Sequence, residues 1–399
     1  DERKRLWGEW TLLRSFREYP DLTRMTETLT VAASLLRGKP SQVILPSTPW
    51  WFGSHSVLST FHVRPGEADR EADALEKYIA LYSKLTNGHG CGADVLYRAE
   101  LAYQRGDLAA AELCAYKASF LAESRQQSTV GLGAAMILGQ VALQKADTAG
   151  WQRAVNSMER AASYPLQNSF VIRSALDAVR GVLLTELQDP EDLAEWLKNG
   201  DFSSRLLLAP MLDNALYVHG MYLLLRGEAA RLVGTFEARL SAAPAPAPFA
   251  EMIALLVVAA GYLEMGNRVR AAQMVERAAE MGTPDDIISP LMSFSWLLEG
   301  IPDEVMKRKY PHLLDRYNGL KSRFSCGWGT LHGDLFPDEL PEDLTPRELE
   351  VARLAAQGLH NGEIAERLVV SQATVRAHLR AIFQKLDIDR RAKLAEKLK

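Results

Sequence analysis

The stretch SQATVRAHLRAIFQKL, Ser371 to Leu386, decides the reading of the C-terminal end of the chain. Ser371 is a strong helix N-cap, and Val375, Leu379, Ile382 and Leu386 then recur at intervals of four, three and four, so they line one face of a helix. The other face carries Gln372, Arg376, Arg380 and Gln384, with Ala377 small enough to let a backbone approach. Upstream, NGEIAERL (Asn361 to Leu368) reads as a shorter helix capped by Asn361, and only Val369, Val370 and Ser371 separate the two. A connection that short joins helices that cross steeply, as in a helix-turn-helix, whose second helix enters the major groove of DNA. A third helix, LTPRELEVARLAAQG, precedes the pair. Thr345 is its expected cap, Pro346 its first helical residue, Glu348 the closing member of a capping box and Gly358 its C′ terminator. Leu349, Leu354 and Ala355 are expected to meet Ile364, Leu368 and the inner face of the Ser371 helix. DIDRR then leads into a last short helix with Leu394 and Leu398.

The pattern LTPRE, GLHNGEIAERL, VSQATVRAHLRAIFQKL and IDRR resembles the C-terminal DNA-binding domain of LuxR-type transcription regulators across nearly the whole domain. The resemblance implies base contacts from Arg376, Ala377 and Arg380. It implies phosphate contacts from Ser371, Thr374, Lys385 and Arg391. One departure stands out: Gly362 occupies the place where the family usually has a lysine, which implies one phosphate contact fewer. Apart from the resemblance, the same segment reads as a charged amphipathic bundle whose arginines are merely solvated.

The 399 residues are 47% hydrophobic and 24% charged, an ordinary soluble composition. Net charge is −4, unevenly divided: from Leu344 to Lys399, 11 Lys and Arg face 7 Asp and Glu, a net +4, which leaves −8 on the remainder. A basic end on an acidic body suits a nucleic-acid reader attached to a domain with another task. Cys91, Cys114 and Cys326 lie far apart without metal-ligand spacing, which predicts a reducing, cytoplasmic setting and no metal site. The longest apolar run, Met252 to Leu263, is too short to span a bilayer. The chain opens at Asp1, without Met, and so reads as a piece of a longer protein.

Two N-terminal helices are predicted between Leu6 and Leu36, the first with a buried stripe of Trp7, Trp10, Leu13 and Phe16, the second with Leu22, Met25, Leu29, Ala32, Ala33 and Leu36. The aromatic stretch from Pro40 to Pro65 follows. Trp50, Trp51, Phe52 and His55 are its candidate ligand-pocket residues, against the alternative that they anchor a long connection onto neighbouring helices. In NGHGCG, Asn87 to Gly92, three glycines ahead of a helix suggest an anion-binding turn, but no strand precedes it and a tight inter-helix turn is the better reading.

Helix-ending pairs then recur at Gly106-Asp107, Ala146-Asp147, Gln188-Asp189, Gly227-Glu228 and Gly266-Asn267, in steps of 40, 42, 39 and 39 residues. Each follows an apolar helix and precedes an amphipathic one, the signature of an α-solenoid. The units resemble tetratricopeptide repeats with a loose consensus. Trp196 to Arg205 and the Pro-Ala stretch from Ser241 to Ala250 interrupt them. The expected fold is all-α: an N-terminal helical and aromatic segment (1–92), a tetratricopeptide-like helical solenoid (93–325), a Gly, Pro and acidic linker (326–343) and a small LuxR-type helix-turn-helix domain (344–399). The order of elements resembles the C-terminal half of the MalT-like, large ATP-binding LuxR regulators, which implies an ATP-binding module elsewhere in the protein. No Walker motif occurs in this chain, so no cofactor is expected here.

No H-E-x-x-H, EF-hand or G-x-S-x-G pattern is present, and no catalytic residue is assigned. The predicted function is a non-enzymatic, sequence-specific regulator that binds double-stranded DNA as a dimer or higher oligomer and senses a small-molecule inducer or regulatory protein, with RNA polymerase a further partner and no membrane. The alternative is a protein-interaction scaffold with a terminal docking domain. Salt separates the two, because binding through phosphates weakens steeply as salt rises.

Overall fold

A computed structural model describes residues 2–203, 207, 209–241, 247–335, 344, 346–368 and 370–398. Among them every regular element is an α-helix or a short 3-10 turn. Helices α1 (Glu2–Ser15) and α2 (Leu22–Leu36) pack together. Asp21 caps α2, accepting from the Thr23 and Arg24 N–H groups at 3.1 Å each, and α2 buries Leu22, Met25, Leu29, Ala32 and Leu36. The stripe expected on α1 is not the buried one. Trp7, Trp10 and Leu13 are 52%, 49% and 43% exposed, and only Phe16 of that set packs inward. The inward face is Gly8, Leu12 and Ser15, because α2 passes so close that a Cβ on Gly8 would sit 2.8 Å from Leu36. Glu9 is buried beside them and accepts from Ser41 Oγ (2.5 Å) and the Gln42 N–H (2.8 Å).

The aromatic connection is a packed anchor. Trp50 stacks on Phe61 at 6.1 Å, and Trp51 lies 4.7 Å from Phe61 and 5.3 Å from Tyr19. Helices α3 (Val57–Phe61) and α4 (Ala68–Leu85) follow. Asn87 to Gly92 forms the inter-helix turn: Asn87, Gly88, Gly90 and Gly92 all have positive φ. Buried His89 joins Tyr82 Oη (2.7 Å) to the Thr48 carbonyl (3.0 Å).

Helix pairs then succeed one another: α5 (Ala93–Gln104) with α6 (Leu108–Arg125), α7 (Ser128–Gln144) with α8 (Thr148–Ala162), and α9 (Phe170–Glu186) with the one-turn α10 (Glu195–Asn199). Next come α11 (Ala209–Arg226) with α12 (Ala229–Ser241), and α13 (Pro248–Glu264) with α14 (Arg268–Gly282). The five punctuating pairs are one motif. Gly106, Ala146, Gln188, Gly227 and Gly266 are all left-handed. The next N–H in each case donates five residues back, from Asp107 to Ala102, Asp147 to Ala142, Asp189 to Leu184, Glu228 to Leu223 and Asn267 to Tyr262. This is the Schellman closure that satisfies the last carbonyls of a helix. Asp107, Asp147 and Asn267 then cap the second helix through Ala110, Gly150 and Arg270. Periodic sequence thus becomes periodic helix reversal.

The first helices of the pairs, α5, α7, α9, α11 and α13, touch in that order, and the stack curves until its end meets its beginning. Helix α15 (Ser289–Ser293) packs on α13 and α5, and α3 bridges the same two. Long-range polar contacts fasten this closure. Asp285 accepts from the Gly66 (2.5 Å) and Ala68 (2.8 Å) N–H groups, Arg105 Nε donates to the Asp285 carbonyl (2.9 Å), and the Ile288 N–H donates to the Gln104 carbonyl (3.1 Å).

Helix α16 (Ile301–Lys309) precedes α17 (Leu314–Leu335). The expected linker over 326–343 is corrected here: residues 326–335 are the last turns of α17, and residues 336–343 lie outside the described residues. Tyr317, Leu320, Phe324, Trp328 and Leu331 form a buried helical stripe that the intervening glycines conceal in the sequence. Helix α17 lies across the C-terminal ends of α5, α7 and α9. Arg316 Nε donates to the Arg105 carbonyl (2.6 Å) and Trp328 Nε1 to the Glu186 carbonyl (2.9 Å). Gly327 meets the α7 backbone directly; a Cβ there would lie 1.8 Å from the Leu143 carbonyl oxygen, whereas no described residue lies within 4 Å of one on Gly333. In urea denaturation, Gly327→Val is expected to cost about 3 kcal/mol or more through overpacking. Gly333→Ala in the same helix is expected to gain roughly 0.5 to 1 kcal/mol.

The chain ends in α18 (Pro346–Ala356), α19 (Asn361–Leu368), α20 (Gln372–Lys385) and α21 (Leu394–Lys397). Among the described residues no helix is long and apolar enough to cross a membrane.

Candidate functional site

Helices α18, α19 and α20 pack mutually around Val351, Ala352, Ala355, Ile364, Val375 and Ile382, all at most 5% exposed. Ser371 caps α20, its Oγ accepting from the Thr374 N–H at 3.0 Å and lying 2.8 Å from Thr374 Oγ1. Gly358 takes the left-handed conformation that ends α18. Thr345, the expected cap of α18, lies outside the described residues.

Burying Val375, Leu379, Ile382 and Leu386 forces the opposite face of α20 outward. Ser371, Gln372, Thr374, Arg376, Ala377, Arg380, Gln384 and Lys385 are all exposed. Arg376 and Arg380 are one turn apart, about 6 Å along the axis, so both side chains project from the same side of the helix. Lys385 is also held: its Nζ lies 2.6 Å from Glu348 Oε2, tying the end of α20 to the start of α18.

Arg391 is not where a phosphate contact requires it. Its guanidinium turns inward and donates to the Ala355 carbonyl (3.1 Å), the Leu359 carbonyl and Asn361 Oδ1 (3.2 Å). Burial draws its pKa down to about 10. The expectation from the family pattern fails because the end of α18 and the turn after it leave carbonyls that this side chain satisfies. Next to it, Arg390 Nη1 bonds Glu264 Oε2 of α13 at 2.8 Å. Lys321 of α17 lies 3.2 Å from Glu363 and 2.7 Å from Asp303, and Gly358 abuts Trp296. These contacts hold the domain on the helical ring through the α18–α19 turn, the start of α19 and the segment after α20. The exposed face of α20 is left open.

The second feature is a cavity of roughly 120 Å³ lined by helices of the ring. Glu100, Tyr103 and Gln140 of α5 and α7, Glu186 of α9, Asp213, Asn214 and Tyr217 of α11, and Arg239 of α12 face it, with Phe249 and Phe294 among its apolar walls. The candidate pocket residues Trp50, Trp51 and His55 do not. Trp50 and Trp51 are consumed in the aromatic anchor; His55 is buried, both ring nitrogens without a partner, and desolvation lowers its pKa to about 4. The Phe52 side chain lies outside the described residues. That segment does reach the cavity, through Ser56 and Ser59. The signal that marks the true lining is a polar residue inside an otherwise apolar first helix of a pair, such as Glu100 in α5 or Gln140 in α7. Among the described residues no group of His, Cys, Asp and Glu is placed to hold a metal ion.

Residues 342–398 match the family model described as bacterial regulatory proteins, luxR family. Rv0890c of Mycobacterium tuberculosis, which carries the name of an HTH-type transcriptional regulator, is 37% identical over 81 residues, 20% of this chain and 8% of that protein. The transcriptional regulatory protein YxjL of Bacillus subtilis is 52% identical over 48 residues, 12% of this chain and 22% of its own length. The nitrate/nitrite response regulator protein NarL of Escherichia coli is 40% identical over 52 residues, 13% of this chain and 24% of its own length. The chain therefore spans less than a quarter of each of these relatives.

Proposed function

We propose that the chain, whose residues 342–398 match the LuxR-family model, is a sequence-specific transcriptional regulator whose helical ring senses a ligand or partner and adjusts DNA binding. The observation that carries the DNA-binding part is the exposed face of α20, where Arg376, Ala377 and Arg380 project beside the capping hydroxyls of Ser371 and Thr374. Arginine pairs bidentately with guanine, and the hydroxyls and Lys385 set the helix on phosphates. A domain this small makes a limited interface, so two copies on paired half-sites supply the specificity.

Sensing is supported by connectivity. The Glu186 side chain faces the ring cavity while its backbone carbonyl holds Trp328 of α17, the helix that precedes the DNA-binding domain and contacts it through Ser325 and Lys321.

The test is retention of a randomised duplex pool by the purified chain at two salt concentrations, followed by sequencing. The expected result is a short inverted-repeat motif, lost in the Arg376→Ala/Arg380→Ala double variant, with affinity falling as salt rises. Salt-insensitive binding without a motif would remove the reading.

A further inference from the structure

We propose that the cavity in the helical ring receives a small organic cation, an ammonium or amidinium group on an apolar body, with Glu186 and Gln140 holding the charged head. The inference rests on the sensing role proposed above and gives it a ligand class.

Among the described residues three carboxylates line the cavity, and two are already committed. Glu100 accepts from Ser56 Oγ (2.7 Å) and from the Val57 (2.8 Å) and Leu58 (3.1 Å) N–H groups, which fixes the start of α3. Asp213 is bound by Arg239 through Nη2 (2.7 Å) and Nε (3.0 Å). Glu186 is different. One oxygen accepts from Gln140 Nε2 at 2.6 Å; the other, Oε2, is buried with no partner among the described residues. Gln140 is itself only 6% exposed, and its Oε1 is also buried without a donor. Two neighbouring residues of the cavity lining, on α7 and α9, thus each keep a buried acceptor that no described residue pairs.

A buried acceptor without a donor is costly, and a buried carboxylate without a cation more so. An ammonium or amidinium group supplies several N–H donors and a positive charge, and so meets both deficits at once. Among the described residues an anion would instead meet three carboxylates and one arginine already paired to one of them. The walls fit the rest of such a ligand: Tyr103, Tyr217, Phe236, Phe249 and Phe294 line the same cavity and offer apolar area and ring faces that attract cations. Asn214 Nδ2, buried and unpaired on α11, leaves one donor for an oxygen on the ligand body. Burial also pushes the Glu186 carboxyl up to about 7, the state of an acid waiting for a counter-charge.

The full chain is titrated with phenethylammonium and benzamidinium, and with phenethyl alcohol and phenylacetate as neutral and anionic counterparts of similar shape. Calorimetry and thermal melting report binding, and retention of the selected DNA is measured alongside. The cations are expected to raise the melting temperature in a saturable way at concentrations up to about 10 mM, the range fragments of this size require. Glu186→Gln and, as a second variant, Gln140→Leu are each expected to weaken cation binding about ten-fold or more. Equal stabilisation by the alcohol or phenylacetate overturns the cation assignment and leaves ligand sensing standing, as does cation binding indifferent to both variants. No binding by any of the four overturns the assignment as well. A cation that binds through Glu186 without altering DNA retention leaves the assignment in place and removes the sensing role.

Discussion

Replacing Arg380 with alanine is expected to weaken binding to the selected DNA site by roughly 1 to 3 kcal/mol, about 5- to 150-fold, and to relax preference at one base position. The melting temperature should not move, because Arg380 lies on the exposed face of α20 and the helix is held by Val375, Leu379, Ile382 and Leu386 beneath it. Arg376→Ala should behave in the same way at a neighbouring base. Arg391→Ala supplies the contrast. Its guanidinium sits inside the domain on the carbonyls of Ala355 and Leu359, so its removal leaves buried acceptors unpaired and lowers the stability of the domain. DNA affinity then falls together with the melting temperature and without a change in base preference. Quantitative binding to selected and scrambled duplexes, with melts of the same samples, separates the two kinds of arginine. Weaker binding by Arg391→Ala with an unchanged melt would return that residue to the phosphate contacts.

That contrast also marks what the sequence makes legible. The caps, the apolar intervals and the left-handed terminators are local rules, and they are readable wherever a helix starts or stops: Ser371, Asp107, Asp147, Asn267 and Gly358 stand in the structure where their chemistry predicts. The step near 40 residues is equally local, since each unit repeats one reversal. What escapes such reading depends on contacts between distant segments. Arg391 turns inward because the carbonyls after α18 lie beside it. Trp7 and Trp10 face outward because Gly8 admits α2. Closure of the ring rests on Asp285 reaching Gly66 and Ala68 across more than two hundred residues, which no periodicity encodes. The glycines of 326–333 suggest a linker, yet Gly327 is there to let α17 touch the backbone of α7. The cavity is assembled from α3, α5, α7, α9, α11, α12, α13 and α15, so no short stretch of sequence outlines it.

Glu100 of α5 and Glu186 of α9, two carboxylates of the cavity lining, are expected to respond oppositely to loss of charge. Glu100→Ala strands the Ser56 hydroxyl and the Val57 and Leu58 N–H groups in a buried site, a loss on the order of 3 to 5 kcal/mol when orphaned donors cost about 1 to 3 kcal/mol each. Glu186→Gln removes a charge that no described residue neutralises, keeps an oxygen for Gln140, and is expected to stabilise the ligand-free chain at pH 8. Burial raises both carboxyls to about 7, against the lowering pull of Ser56, Val57 and Leu58 on Glu100 and of Gln140 on Glu186. The sign follows from linkage. The unfolded carboxyls titrate near about 4.3, so between that value and about 7 the folded state holds more protons than the unfolded one. Their contribution to stability is complete below the unfolded value, is lost as pH rises through the window, and is flat above it. Urea denaturation at several pH values from 4 to 8 should therefore show stability of the wild type falling by on the order of a few kcal/mol from these two groups. Glu186→Gln should show a shallower fall that leaves it the more stable protein at the alkaline end. A variant as pH-dependent as the wild type would mean that Glu186 already has a counter-charge in the folded chain, and the cavity would lose its claim to a cationic ligand.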